Sequence, residues 1–450
     1  KFIFNDNIIQ SPTPDDLGRH LVASRDLKPG DVVLTEKPLV FGPKAMLDPE
    51  ATICIQRRPL PLRGPGRKSL ARPRATDVCE VLVLYEIHMK VANEFIVEYL
   101  INNFVNKMDE KLKKSYEITS ELLHRICGII DTNALEIRLP QGTELSALYA
   151  ITCKMEHSCI PNTKHTSFAF SPKDRNDLYE ITIKAVVPIL KNEHIATMYS
   201  HALWGTQARR QHLKDSKYFA CKCPRCSDPT ELGTYLSAMK CLGDENNLCD
   251  GIHLPVDPLD DETEWTCSKC SVKVHNAQVN MVMSQMGEDV ENVLMMDGSV
   301  TVLENLLCRL STFLHPNHYY IYSLKHSLVQ LYGREQRYIS LDILDKKIKM
   351  CRELIAITKA LDPGNARLSL YNTVLQNELH SALVMKSKHK DIKKVEDIKS
   401  LLTDAKLAIE DALKSLRDDM EEVSGKKLLS VIEDNKRDFD RYCQQKKMMI

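Results

Sequence analysis

The 450-residue chain has no excess of either charge, since 61 lysines and arginines balance 61 aspartates and glutamates. A general attraction to nucleic acid or to an anionic membrane is thereby excluded, and any such surface has to be a local patch. No run of eighteen apolar residues occurs, so no membrane-spanning helix is expected. The opening Lys1-Phe-Ile-Phe is too short for the apolar core of a signal peptide; the missing initial methionine leaves room for an N-terminus further upstream. Acidic residues are absent from residues 57–74, a stretch of arginine, proline and glycine that cannot build a packed element. It reads as a solvated linker; a nucleic-acid arm and an imperfect gene model are its other readings.

What is present is an ordinary globular composition, 43% hydrophobic and 27% charged, long enough for about two to four domains. Fifteen cysteines, clustered at Cys-x-Cys and Cys-x-x-Cys spacings, point to metal ligands in a reducing compartment. An intracellular zinc protein, nuclear or cytoplasmic, is the expectation. Cys221-Lys-Cys223-Pro-Arg-Cys226 supplies three of the four thiolates of a closed tetrahedral site. The natural fourth donor is Cys159, held in the tight turn His157-Ser-Cys-Ile-Pro-Asn162. Between the two lies Ile195-Ala-Thr-Met-Tyr199, a short strand ending in a tyrosine. Cys241, Cys249, Cys267 and Cys270 suggest a second, ribbon-type zinc site. His253 or His275 is an alternative ligand there, and a metal-free Cys267–Cys270 pair is the plainer reading.

Residues 17–41 carry two alternating apolar runs around Pro29-Gly30, a β-hairpin signal. From Val78 to Ile130 apolar residues recur at helical spacing, with His124 and Cys127 on the core pattern. Strand-like runs follow around residues 163–170 and 179–187. From Ala277 onward amphipathic helices continue to the end, with a turn at Pro363-Gly364 and a solvated stretch over residues 386–399.

The order His-Ser-Cys-x-Pro-Asn, strand-tyrosine, Cys-x-Cys-x-x-Cys resembles the SMYD (SET and MYND domain) family of protein-lysine methyltransferases. The Glu156-His-Ser-Cys form and the Ala202-Leu-Trp-Gly-Thr-Gln helix look most like its arthropod SmydA branch. The resemblance implies an α+β fold: a SET-domain β-fold with a helical insert and a zinc-binding post-SET segment, then an all-α TPR-like helical domain. The implied parts are 1–44 (N-terminal SET), 45–80 (linker in place of MYND), 81–130 (helical insert), 131–216 (SET core), 217–275 (zinc region) and 276–450 (helical domain). A MYND module needs seven cysteines and a histidine; here only Cys54 and Cys79 fall in its place, so it is absent or degenerate.

The cofactors implied are S-adenosylmethionine (SAM) and zinc. Gly18, Arg19 and His20 correspond to the opening cofactor segment, with His20 where the family has a second glycine. Asn133, in a Thr-Asn-x-x-x-Ile strand, Glu156 and His157 are the further cofactor contacts, and Phe219 covers the adenine. Glu156 replaces the family asparagine and accepts hydrogen bonds without donating any. Lysine methylation requires a neutral amine, and a lysine in water, with a pKa of about 10.4, is protonated. A desolvating channel with oxygen acceptors is therefore needed, and Tyr199 is the candidate catalytic residue. The family's second pocket tyrosine falls on Lys217, with Tyr218 one step along. The implied partner is a substrate lysine on a histone or another protein, with chromatin or co-repressor partners, no membrane, no direct nucleic-acid contact, and a monomeric state. The rival reading is a catalytically weak SET-derived scaffold acting through its C-terminal helices, for example in transcriptional repression.

Overall fold

The computed structural model describes residues 2–12, 19–43, 97–138, 144–167 and 179–446, apart from 99, 245–246, 297, 335–339 and 420–422. Gly18, Cys54, Cys79, the basic stretch 57–74 and the whole of 45–96 lie outside the described residues.

The first half is built from short strands. β1 (Phe2–Asn5), β2 (Ile8–Pro12) and β3 (Arg19–Ala23) form one antiparallel sheet in that order. Next in the chain come β4 (Val32–Glu36) and β5 (Val40–Pro43), then helices α1 (Glu110–Tyr116) and α2 (Ser120–Asn133). They are followed by β6 (Leu135–Arg138), β7 (Glu144–Leu148), β8 (Glu156–His157), β9 (Thr163–Ser167), β10 (Ile181–Ala185) and β11 (Ala196–Thr197). A second sheet runs β4-β10-β9 and a third β5-β7-β6, while β8 and β11 pair in parallel.

The hairpin expected across Pro29-Gly30 does not form. β3 pairs with β2, and β4 pairs with β10, so the two runs enter different sheets. The turn is real, with Gly30 at φ +94°, but its amide donates 2.8 Å to the carbonyl of Ala185. The apolar alternation is satisfied by long-range partners: Leu27 and Ile189 exchange backbone bonds of 2.8 and 3.0 Å. Ile8, Leu21, Leu27, Val33, Ile137, Ile181, Ile183, Ile189 and Ile195 fill the core between the sheets. Full burial of each such side chain is worth about 1.5–3 kcal/mol.

α2 starts at Thr119, whose hydroxyl caps the amide of Leu122 at 3.1 Å. It ends later than the expected Thr132-Asn133 strand, because Asn133 Nδ2 donates to the carbonyl of Ile129 and closes the last turn. The strand proper begins at Leu135. His124 and Cys127 are half-buried on this helix.

α3 (Thr206–Lys217) and the short α4 (Pro224–Ser227) lead into an antiparallel sheet of β12 (Met239–Lys240), β13 (Ile252–Pro255), β14 (Glu264–Cys267) and β15 (Lys273–His275). The remainder is all-helical: α5 (Asn276–Met295), α6 (Val300–Leu310), α7 (Tyr319–Leu331), α8 (Leu341–Leu361), α9 (Ser369–Ser387), α10 (Val395–Leu416) and α11 (Val423–Gln445). Leu354, Leu375, Leu383, Leu402 and Ala405 make the interior of these helices. The same apolar cluster reaches Met198, Leu203 and Leu213, so the helical region and the strand region share a core. A buried ion pair ties them further: Lys164 Nζ on β9 reaches Asp419 at 2.5 Å and Ser369 Oγ at 2.9 Å.

Candidate functional site

The site grows from Glu36. Its carboxylate accepts the amides of Ile151 and Thr152 and the Thr152 hydroxyl, each at 2.8 Å. This anchors the short turn Thr152–Lys154 that leads into β8. Asn162 fixes the other end of the motif. Its side chain donates 2.7 Å to the carbonyl of His194 and accepts the amide of Ala196 at 2.9 Å. The loop 157–162 is thereby stitched to β11, and Tyr199 emerges two residues beyond that strand.

Cys159, Cys221, Cys223 and Cys226 converge, with their sulfurs all within 4.8 Å of one another. Tyr218, left-handed at φ 60°, ends α3 and turns the chain back toward Cys159. Sixty residues of separation are closed by that turn and by the 157–162 loop. Beneath the cluster, Arg209 is fully buried and donates from Nε to Cys159 Sγ at 3.3 Å and from Nη2 to Cys226 Sγ at 3.5 Å. Such donors suit anionic sulfur, so the donor set fits a tetrahedral thiolate-bound zinc. Hydrogen bonding with Cys159 already draws the Cys226 thiol down to about 7. Arg209 is itself neutralised by Glu231 at 2.6 Å, which also takes Arg225 at 3.1 Å. Burial opposes ionisation of Glu231, but the two guanidiniums hold its carboxyl down to about 2.

The second set also assembles: Cys241, Cys249, Cys267 and Cys270 lie within 4.8 Å of one another, at the ends and turns of β12–β14. Gly251 is required there, because a Cβ would lie 2.5 Å from Cys267 Sγ. Neither histidine joins it. His275 caps α5 in a capping box with Gln278, and His253 is buried outside the cluster.

Tyr199 is half-buried, and its hydroxyl donates to the carbonyl of Met155. Burial first, then the neighbouring Cys153 and Glu156, raise its pKa above the ordinary phenol range, so it stays protonated. His157 Nδ1 accepts the Tyr199 amide at 2.9 Å, and Nε2 lies 3.2 Å from Cys159 Sγ. The ring is neutral, its pKa lowered by burial to about 4. Phe219 tilts against His157 at 5.7 Å between ring centroids.

Glu156 pairs through Oε2 with His194, whose ring stacks on His20 at 4.4 Å. Glu156 Oε1 is buried without a partner among the described residues. His20 is therefore part of this wall; Arg19 is the first residue of β3, and Asn133 is held by its own helix. Lys217 ends α3 with Nζ on the carbonyl of Thr132 and 5.7 Å from the centre of the Tyr199 ring.

Sequence reasoning missed Arg209, Glu231, Glu36 and His194. Their partners lie as far as 116 positions away, and no local spacing marks them.

No family profile matches the chain. Among curated proteins, the SET domain-containing protein SmydA-8, isoform A, of Drosophila melanogaster is 28% identical over 304 residues. The chain resembles SET-domain proteins of the SMYD type. That match covers 56% of this chain and 63% of the SmydA-8 isoform, so the chain spans less than two thirds of that relative. The histone-lysine N-methyltransferase ASHR1 of Arabidopsis thaliana is 23% identical over 60% of this chain and 65% of its own. The N-lysine methyltransferase SMYD2-B of Xenopus laevis is 27% identical over 41% of each. A solved SET domain, that of LSMT bound to lysine and AdoHcy, aligns with 98% of this chain and 89% of that one at 10% identity. Its TM-score of 0.30 is too low to bear on the fold. No helix among the described residues is long and apolar enough to cross a membrane.

Proposed function

We propose that this SMYD-like chain is a SAM-dependent protein-lysine N-methyltransferase with two structural zinc sites, acting on a histone or another protein. The observation that carries the reading is the half-buried Tyr199, held by its amide on His157, which abuts Cys159, and by its hydroxyl on Met155. SAM, when bound, supplies a methyl group on a sulfonium. The chain supplies the rest. With its proton committed to Met155, the Tyr199 oxygen offers its lone pairs to polarised donors in front of it. Glu156 Oε1 is a buried, unsatisfied acceptor, which suits the ammonium of the methionine moiety. Phe219 is the candidate cover for the adenine, and Gly18, Arg19, His20, Asn133 and His157 are the remaining candidate contacts. Zinc on Cys159, Cys221, Cys223 and Cys226 would fix the 217–226 loop over that pocket, linking metal loading to cofactor binding.

A SET-derived scaffold without catalysis is favoured by one observation: Glu156 Oε2 is already engaged by His194. The test is transfer of a radiolabelled methyl group from SAM to arrayed lysine peptides by the zinc-loaded chain. The methyltransferase reading expects transfer that Tyr199→Phe reduces by about a hundredfold. Equal transfer by that variant would contradict the role given to Tyr199.

A further inference from the structure

Lys217 sets its amine against Tyr199. Its Nζ stands 5.7 Å from the centre of the Tyr199 ring and donates to the main-chain carbonyl of Thr132. A methyl-accepting amine needs this kind of setting: removal from water, a neutral oxygen to orient its N–H, and a tyrosine wall. Thr132 O is such an oxygen, and unlike a carboxylate it does not favour the protonated state. Burial lowers the pKa of Lys217. α3 delivers the side chain from its last turn, and the left-handed Tyr218 sends the backbone away at once.

We infer that Lys217 is an internal substrate of this chain: its amine occupies the position of a substrate lysine and is methylated in cis. The inference rests on the methyltransferase reading above. In the step proposed, the ammonium first loses a proton to solvent. The nitrogen lone pair then forms a bond to the methyl carbon of SAM, the carbon–sulfur bond breaks, and the electron pair leaves on S-adenosylhomocysteine. The product is N-methyl-lysine at position 217. Until the side chain withdraws, a foreign lysine meets an occupied site.

The test uses the full zinc-loaded chain and SAM carrying an isotopically heavy methyl group, with peptide mass mapping. The expected result is label on Lys217 at a per-molecule rate independent of protein concentration, and none at that position in Lys217→Arg. A readout apart from transfer is calorimetric SAM affinity, where Lys217→Met tightens binding by about tenfold because a cation beside the sulfonium is gone. Lys217→Arg, which keeps the charge, does not. SAM binding that depends on Phe219, together with an unlabelled Lys217 or an unchanged affinity in Lys217→Met, overturns the inference and leaves the methyltransferase reading standing. Absence of SAM binding in every variant overturns both.

Discussion

The Tyr199 amide donates to His157 Nδ1 at 2.9 Å, and the opposite nitrogen of the same ring lies 3.2 Å from Cys159 Sγ. One neutral imidazole therefore joins the candidate catalytic tyrosine to the candidate metal cluster, with the proton on Nε2 facing sulfur. His157→Ala leaves the Tyr199 amide unpaired and removes a donor from Cys159. The cost expected is about 1–3 kcal/mol, read as a lowered midpoint in urea. His157→Asn, whose amide oxygen can accept the same N–H, should recover part of it.

The two cysteine clusters differ in access. Cys159, Cys221 and Cys226 are buried, whereas only Cys241 is buried in the other set. Chelator added to the native protein should release zinc in two phases, near two equivalents in total, with the Cys241 cluster emptying first. Gly251→Ala, which drives a methyl group into Cys267 Sγ, should lose the fast phase and keep the slow one. Colorimetric zinc release measures both. A single phase that survives Gly251→Ala unchanged would contradict the assignment.

Lys164 and Asp419 form a buried pair between β9 and the segment after α10. Removing one charge strands the other, so Lys164→Met or Asp419→Ala alone should cost about 3–5 kcal/mol. The double replacement Lys164→Met/Asp419→Leu should cost much less than the sum. Denaturant unfolding of the four proteins forms a double-mutant cycle, and strict additivity would contradict the coupling.

Acid should destabilise the protein in two windows. Burial lowers His318 to about 3 and His326 to about 4, from an ordinary 6.5. The unfolded chain then binds more protons than the fold below pH 6.5, so stability is full above that pH and falls as pH drops toward 3. At pH 5 the loss is about 2 kcal/mol for each histidine. Glu231 is depressed from 4.5 to about 2, so its contribution is present above pH 4.5 and lost between 4.5 and 2. Urea midpoints across pH 8 to 4 should begin to fall below 6.5, and His326→Gln should remove only its own share of that fall, about 2 kcal/mol at pH 5. A curve level down to pH 5 would contradict this.

Much of the organisation was legible in the chain because it is carried by local signals. The Cys-x-Cys-x-x-Cys and His-Ser-Cys-x-Pro-Asn spacings anticipated the first cluster, and amphipathic periodicity anticipated the run of helices after Ala277. The unusual Cys241–Cys249 spacing also resolved into one four-cysteine set, because β13 returns the chain to β12. The pairing of β3 and β4 was not legible. A turn signal at Pro29-Gly30 says that the chain bends and not which strand receives it. The helical state of Asn133 carries no periodic mark in the sequence, because it rests on the residue's own side chain closing α2. The buried charges Arg209, Glu231 and Lys164 look in sequence like any surface residue; only their distant partners distinguish them.

Methyl transfer by this chain depends most directly on whether the wall of Glu156, Tyr199 and Phe219 receives SAM. Calorimetric titration of SAM into the zinc-loaded full chain, beside a Phe219→Ala variant, measures it. The expected result is saturable binding at one site per chain, weakened at least tenfold in the variant, whose lost aromatic contact is worth about 1–3 kcal/mol. A folded, zinc-loaded protein that shows no heat of binding at millimolar SAM would contradict the methyltransferase reading and leave the scaffold in its place.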